Sequence, residues 1–364
     1  MMRILLLSCC TLLLFATPAM AEQPASTTVE GALQGYFSQD TEDPAAATLV
    51  ESGFAYERML VAERLPGGAS LMVEVELRRD ELRFRYPVKL ARQDQREAAS
   101  WRVEWAPDDE YARALVAMGD IEMLADIEAD EPWADVQRLP ALPVLVADQA
   151  IITPFGHVSE PPSGSQTADG QLVPPEELVQ HAQNWTGLVL EDEPGTANAD
   201  LVIAGGTSWR RVTQALMGPA AVGLFRIYMV GGADGALVAL PGVAPVVDGE
   251  LAEGVEPLVV GMYPADDGHA FRVRVGGRLI ENKDACAERM TLCAESAGVF
   301  GKEVGEQVSA ALEEQPAKIG YVIFAATGDL PVDEVASHLR ELSDALGVPP
   351  EKLRVGFIAE EESE

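Results

Sequence analysis

The sequence has 364 residues and a formal net charge of −33, because 59 acidic residues are balanced by only 26 lysines and arginines. Such a charge repels polyanions, so nucleic acid is excluded as a partner and anionic membrane surfaces are disfavoured. Hydrophobic residues make up 48% of the chain, which is ample material for packed cores, and the length predicts two or three domains.

The chain opens with a predicted secretory signal peptide over residues 1–21. Arg3 is the single charge before an apolar run, and Ala19-Met20-Ala21 provides a small-x-small cleavage site. The run is too short for a membrane-spanning helix, and no later segment is long and apolar enough to be one. A lipoprotein signal ending at Cys9 is the alternative, but it leaves few apolar residues before the cysteine. We therefore expect an exported, periplasmic protein that is cleaved after Ala21 and has no membrane-spanning segment.

Residues 27–132 are predicted to form an α+β module, in which a helix precedes a curved antiparallel sheet. Apolar and polar residues alternate along three consecutive runs, which is the pattern of strands with one buried face. These runs centre on Val75, Tyr86 and Val103, and Tyr111–Met118 then predicts a short helix.

The rest of the chain repeats one order of elements, strand–strand–helix–strand–helix–strand. In the first copy, over residues 140–241, Pro174-Pro175-Glu176-Glu177 opens a helix, because proline is tolerated in the first turn and acids suit the helix dipole there. A βαβ unit follows from Leu201 to Val230, and the second copy, over 257–360, ends with another from Tyr321 to Ile358. The predicted fold class is therefore α+β, with two small β-β-α-β-α-β domains after the N-terminal module.

Two cysteines, Cys286 and Cys293, follow the predicted cleavage site, and an exported pair of this kind predicts a disulfide. On one continuous helix their Cα atoms would lie ~10 Å apart, which is beyond disulfide reach. A bridge therefore requires residues 287–292 to form a loop or an interrupted turn.

The order of elements in each copy resembles the periplasmic domain of the ExbD/TolR family. In the first copy the resemblance rests on the Pro/Glu-led helix, the strand with small residues, the next helix, its turn and the final strand (174–185, 201–206, 209–217, 221–223 and 225–230). The second copy matches more loosely, through 304–312, 321–326, 332–347 and 353–358.

This resemblance implies domains that dimerise and that contact peptidoglycan or an energy-transducing protein of the envelope. Family members carry an N-terminal membrane helix with an intramembrane aspartate that serves proton-driven coupling. The leader of this chain has no acidic residue. The chain is therefore expected to lack the proton-handling part of the family.

The N-terminal block resembles nuclear-transport-factor-2-like (SnoaL-type) domains through Tyr86-Pro87 and the run from Ser100 to Pro107. The resemblance implies a cone closed by a curved sheet, used as a spacer or a binding module. Trp101 and Trp105 lie four apart on one predicted strand face. Together with Phe84 and Tyr86 they are the candidates for lining a ligand pocket, and ordinary core packing is the alternative.

No catalytic, cofactor or metal site is predicted. The four histidines are far apart in the sequence, and His181 and His338 are expected at the surface of helices. Asp266-Asp267-Gly268 lacks the alternating spacing of a calcium-binding loop. The sequence also has no HExxH, GxSxG or CxxC motif and no glycine-rich phosphate loop.

These patterns favour an exported, non-enzymatic binding or scaffold protein of the cell envelope, accessory to a TonB- or Tol-type energy-coupled transport system. Its expected partner is an envelope protein or peptidoglycan, and the family resemblance adds a homodimer. A small-molecule or lipid-binding protein that uses the N-terminal module is the first alternative. A hydrolase or isomerase is the second, and the missing nucleophile and histidine motifs disfavour it.

Overall fold

The computed structural model shows an α+β protein with three sheets in its described part, which confirms the predicted fold class. The structure describes residues 26–65, 69–80, 82–94, 99–118, 131–132, 141–158, 174–190, 198–223, 226–231, 236–238, 255–282, 290–314, 318–348 and 353–358. The predicted signal peptide lies outside these residues.

The N-terminal module combines three helices with an antiparallel sheet of four strands in the order β1-β2-β3-β4. Asp43 caps the second helix, since its Oδ1 accepts the backbone N–H groups of Ala45 and Ala46 at 3.0 Å. The elements are α1 (Val29–Tyr36), α2 (Pro44–Glu51), β1 (Ala55–Arg64), β2 (Ser70–Arg79), β3 (Leu82–Asp94), β4 (Ala99–Trp105) and α3 (Asp109–Met118).

Strand β1 was not predicted, whereas β2, β3, β4 and α3 were. The register of β1 against β2 shifts twice, between Tyr56 and Arg58 and between Met59 and Val61. Such irregularities turn successive side chains out of strict alternation. The apolar residues of β1 therefore show no period of two in the sequence.

The first repeat is a mixed sheet of seven strands, in the order β5-β11-β10-β9-β6-β7-β8. Strands β6, β9 and β10 are parallel, and helices α4 and α5 connect them. The elements are β5 (Glu131–Pro132), β6 (Ala141–Ala147), β7 (Ala150–Thr153), β8 (Gly156–Val158), α4 (Glu176–Leu190), β9 (Asn198–Ile203), α5 (Trp209–Ala221), β10 (Arg226–Gly231) and β11 (Ala236–Val238). Because β5 pairs with β11, the last two residues assigned to the N-terminal module from the sequence belong to this sheet.

The second repeat, a sheet of six strands, has the same arrangement of its central strands. Strands β12, β16 and β17 are parallel, as are β6, β9 and β10, and β13 runs antiparallel to β12, as β7 does to β6. The elements are β12 (Val255–Ala265), β13 (Gly268–Val275), β14 (Arg278–Leu279), β15 (Leu292–Ala294), α6 (Ala297–Glu314), β16 (Lys318–Thr327), α7 (Val332–Leu346) and β17 (Leu353–Ile358).

The two repeats contact each other through the same turn in each, the one that leads from the second parallel strand into the next helix. The N–H of Trp209, the first residue of α5, donates to the carbonyl of Leu330 at 2.8 Å. The N–H of Val332, the first residue of α7, donates to the carbonyl of Thr207 at 2.8 Å. The contact is therefore reciprocal, like that of a two-fold symmetric dimer, although both halves belong to one chain. It also satisfies one otherwise unpaired N–H at the start of each helix.

Further bonds hold this junction in place. Ser208 and Pro331, which precede α5 and α7, form an isolated antiparallel bridge. The indole Nε1 of Trp209 donates to the carbonyl of Gly356 at 2.8 Å, on β17 at the end of the second sheet. The junction therefore joins equivalent turns and is reinforced by one buried tryptophan.

The described residues form two hydrophobic cores. One lies between the sheets and helices of both repeats. The other fills the N-terminal module and extends onto the first repeat through Leu145, Val202 and Ala204. The sheet of the first repeat is therefore covered on both faces, by its own helices and by the N-terminal module.

Candidate functional site

The four residues predicted to line a ligand pocket belong to the two cores. Phe84 and Tyr86 are 1% and 0% exposed in the core of the N-terminal module, and Trp101 packs against the same core. Trp105 packs against the other core, with its ring centroid 6.3 Å from that of Trp185. Core packing, the alternative to a pocket, therefore describes all four positions.

A β-bulge in β4 explains why the two tryptophans separate. Val103 pairs with Leu90 and Trp105 pairs with the adjacent Lys89, so Glu104 is an extra residue without a partner opposite it. A bulge of this kind re-aims the side chains that follow it. The expectation that Trp101 and Trp105 share one face was therefore wrong.

Two histidines that are distant in the sequence come together in the second repeat. His269 lies on β13 and His338 on α7, with ring centroids 4.9 Å apart. His338 is only 3% exposed and packs against Phe271 and Phe300, at centroid distances of 5.3 and 5.4 Å. The predicted surface position of His338 is therefore wrong, because the buried stripe of α7 is wide enough to include it.

Glu334 orients both imidazoles. His338 Nδ1 lies 2.6 Å from the backbone carbonyl oxygen of Glu334, so we assign the proton of His338 to Nδ1. His269 Nε2 lies 2.8 Å from the carboxylate of Glu334 and donates to it. The remaining ring nitrogens, His269 Nδ1 and His338 Nε2, are buried without a hydrogen-bond partner.

Burial of His338 favours its neutral imidazole. Burial lowers the pKa of His338, against the opposing effect of its hydrogen bond to Glu334, and the nearby His269 lowers this pKa further. Within the described part of the chain, no group of three His, Cys, Asp or Glu residues could hold a metal ion. His181 is half-buried instead of exposed, with its Nδ1 2.9 Å from Thr153 Oγ1, and burial lowers its pKa as well.

A buried ion-pair cluster joins the N-terminal module to the first repeat. Arg85 of β3 places its Nη1 2.9 Å from Glu74 Oε2 and 4.0 Å from Asp200 Oδ2 of β9, and all three residues are at most 5% exposed. Glu74 also accepts the backbone N–H of Ala141 on β6. Burial and the negative charges of Asp200 and Glu74 raise the pKa of Tyr111 on α3. One guanidinium therefore serves two carboxylates at this interface.

The equivalent face of the second repeat is partly exposed and carries arginines. Along β12, β13, β16 and β17 these side chains alternate with the ones buried against the helices, and none of them belongs to either core. We call this surface the arginine face, and it comprises Val259, Tyr263, Arg272, Arg274, Ile323, Arg354 and Ile358.

Arg272 lies at the centre of the arginine face. It is opposite Gly261 on β12, and its guanidinium carbon lies 5.0 Å from the ring centroid of Tyr263. Its Nε is buried without a hydrogen-bond partner. Within the described residues, neither Arg272 nor the exposed Arg274 forms an ion pair. In a chain with a net charge of −33, such arginines are suited to bind carboxylates from outside the fold.

The predicted disulfide is only partly within the described structure. Cys293 lies on β15 and is disulfide-bonded. Cys286, its predicted partner, lies outside the described residues. The pairing of the two cysteines therefore stays a prediction.

No family model, no curated protein and no solved structure matches this chain. Among the helices that the structure describes, none is both long enough and apolar enough to cross a membrane.

Neither the arginine face nor the histidine pair was predicted from the sequence. The arginine face had a local signal, because Arg272 and Arg274 alternate with the apolar Phe271, Val273 and Val275 in a chain that is poor in basic residues. The histidine pair has no such signal, since β13 and α7 are far apart in the sequence.

Proposed function

We propose that this protein is an exported, non-enzymatic binding or scaffold protein of the cell envelope. The observation that carries the proposal is the difference between two equivalent sheet faces. The N-terminal module covers the outer face of the first repeat, whereas the arginine face of the second repeat is partly exposed. A partly exposed face that combines aliphatic side chains with arginines is suited to bind another molecule.

The topology supports a role in the envelope. Each repeat has the element order that resembles the ExbD/TolR periplasmic domain, and the resemblance implies that such domains act as dimers. Here the reciprocal bonds between the turns at Thr207 and Leu330 already pair the two repeats within one chain. We propose that this dimer-like unit is accessory to a TonB- or Tol-type energy-coupled system, with an envelope protein or peptidoglycan as its partner.

The alternatives draw less support from the geometry. A ligand-binding N-terminal module would need an accessible pocket, but Phe84 and Tyr86 are fully buried and contact other core residues. An enzyme would need an acid or base that reaches its substrate. Among the histidines, His338 is 3% exposed, and Nδ1 of His269 is buried.

The proposal is tested in the cells that produce the protein. We expect a tagged full-length chain to be recovered outside the cytoplasm, with Glu22 as its first residue by mass spectrometry. A photo-reactive amino acid at Ile323, on the arginine face, should crosslink to an envelope protein or to peptidoglycan. The control is the same amino acid at Met59 of β1, which is 39% exposed and distant from that face in the sequence. Retention of an uncleaved chain in the cytoplasm, or equal crosslinking from both positions, would contradict the proposal.

A further inference from the structure

We infer that the arginine face binds an acidic, amphipathic helix of a partner protein. This inference rests on the proposed binding function and specifies the chemistry of the partner. Three observations carry it: the composition of the face, the way the equivalent face is covered in the first repeat, and the distribution of charge between the two faces.

The arginine face combines an aliphatic centre with cationic side chains. Val259 and Ile323 are cross-strand neighbours on β12 and β16, and both are half-buried. Arg274 lies opposite Val259 on the other side, and Arg272 precedes it by two positions on the same strand face. A helix with an apolar stripe would bury the aliphatic centre, while carboxylates on its flank would reach the guanidinium groups.

The first repeat provides a template for a helix at this position. Helix α3 packs against β6, β7 and β8 of the first repeat. It begins with Asp109 and Glu110, and its buried residues belong to the same core as Leu145 and Val202 of the sheet. A short helix therefore already covers the equivalent face within the same molecule.

The charges on the two faces indicate which charge the partner of the arginine face should carry. On the first face the sheet contributes an acid, Asp200, and the covering module contributes the base Arg85 together with an acid of its own, Glu74. On the second face the sheet contributes Arg272 and Arg274. A complementary cover must therefore contribute acids, and a carboxylate would also supply the acceptor that Arg272 Nε lacks among the described residues. Two arginine faces packed against each other would oppose like charges, which disfavours a second copy in this role.

The inference can be tested with a labelled synthetic helix and the full chain. The probe is an N-acetylated peptide with leucines spaced three and four apart and glutamates on the flanks, and its twin has lysine in place of every glutamate. Fluorescence anisotropy should show binding of the glutamate peptide, weakening with added salt, and no binding of the lysine peptide. The double variant R272Q/R274Q should bind the glutamate peptide at least about tenfold more weakly.

The matched control is R102Q/R113Q, which changes the net charge equally but removes exposed arginines of the N-terminal module. It should bind the peptide as the wild type does, and circular dichroism verifies that both variants are folded. Equal binding by the wild type and R272Q/R274Q, or preference for the lysine peptide, would overturn the inference. A dimer seen by analytical ultracentrifugation and lost in R272Q/R274Q would also overturn it, since the occupant would be a second copy.

Failure here is distinguishable from failure of the proposed function. Crosslinking from Ile323 to an envelope component, without binding of the glutamate peptide, would retain the binding function and reject the acidic helix. Cytoplasmic retention of the chain would reject the proposed function whatever the peptide does.

Discussion

The two repeats share the arrangement of their central strands but differ in the surface that each sheet turns away from its helices. Asp200 and Ile323 occupy equivalent positions, each on the middle parallel strand, and Ile152 and Arg272 are equivalent on the neighbouring antiparallel strand. The first repeat thus has an acid where the second has an aliphatic residue, and an aliphatic residue where the second has a base. The comparison shows that the same strand arrangement can present two outer faces whose side chains suit different packing partners.

The energetic demands of the two faces also differ. Asp200 is 2% exposed and is stabilised by Arg85 from another part of the chain. A buried charge of this kind depends on its partner, because desolvation is unfavourable without one. Arg274 is exposed and needs no partner within the fold. The covered face should therefore respond strongly to mutation in stability assays, and the arginine face mainly in binding assays.

The largest expected effect is on the covered face. Arg85→Met should lower the free energy of unfolding by about 3–5 kcal/mol, because Glu74 and Asp200 would remain buried without their shared guanidinium. Urea denaturation followed by circular dichroism measures the change. The matched control is Arg274→Met on the arginine face, which should cost less than about 0.5 kcal/mol. Equal losses in the two variants would remove the proposed distinction between the faces.

The two repeats also differ in how their helices pack against each other. In each pair of helices, α4 with α5 and α6 with α7, a glycine lies against a side chain of the neighbouring helix. The glycine is on the second helix of the first pair and on the first helix of the second pair. A Cβ at Gly218 of α5 would lie 2.4 Å from Leu178 Cγ of α4. A Cβ at Gly301 of α6 would lie 2.8 Å from Glu341 Oε2 of α7. The same number of positions separates Leu178 from Gly301 as Gly218 from Glu341. The two crossings are therefore equivalent, with the small residue exchanged between partners.

The second prediction tests the close contact between Gly218 and Leu178. Gly218→Ala should destabilise the protein by about 1–3 kcal/mol, since Leu178 is fully buried and its branch point would be overlapped. Adding Leu178→Ala should cost less in this variant than in the wild type, by at least about 0.5 kcal/mol. Gly187→Ala is the control, because a Cβ at this exposed position of α4 meets nothing within 4 Å and should leave stability unchanged or slightly raised. Strict additivity of the Gly218 and Leu178 substitutions would contradict the proposed clash.

The repeated order of helices and strands could be predicted from the sequence. The segments and side chains that pack on the outer faces of the sheets could not. Long apolar runs and the α4 stripe of Leu178, Ala182 and Trp185 predict elements directly, since burial against the helices imposes the period. Trp105 could not be placed, because a bulge changes its direction without changing the local composition. Which side chains meet at a face depends on the distant segment that packs against it. The residues that pair in this way, Arg85 with Asp200 and His269 with His338, lie on different elements, so no local sequence pattern predicts either pair.

The smallest expected effect is a pH dependence of the free energy of unfolding that arises from the second repeat alone. His338 of α7 corresponds to Ala215 of α5, so only the second repeat has a histidine at this buried position. Its pKa is lowered by burial, and the charged or titratable groups that face it are Glu334 on its own helix and His269 on β13. As the pH falls below the ordinary histidine value, the unfolded chain takes up the proton before the folded chain does. This contribution to stability is therefore complete above about pH 6.5 and is lost as the pH falls toward the lowered pKa.

Urea denaturation at about pH 7.5 and about pH 5.5 measures this contribution. His338→Gln should lose less stability on acidification than the wild type does, because glutamine takes up no proton in either state. The difference should be smaller than the effect of Gly218→Ala, since it concerns a single proton. His157→Gln removes an exposed imidazole of the first repeat and should leave the pH dependence as it is in the wild type. If His338→Gln also retains the wild-type pH dependence, the acid sensitivity of the chain comes from its carboxylates, and the two repeats respond to pH alike.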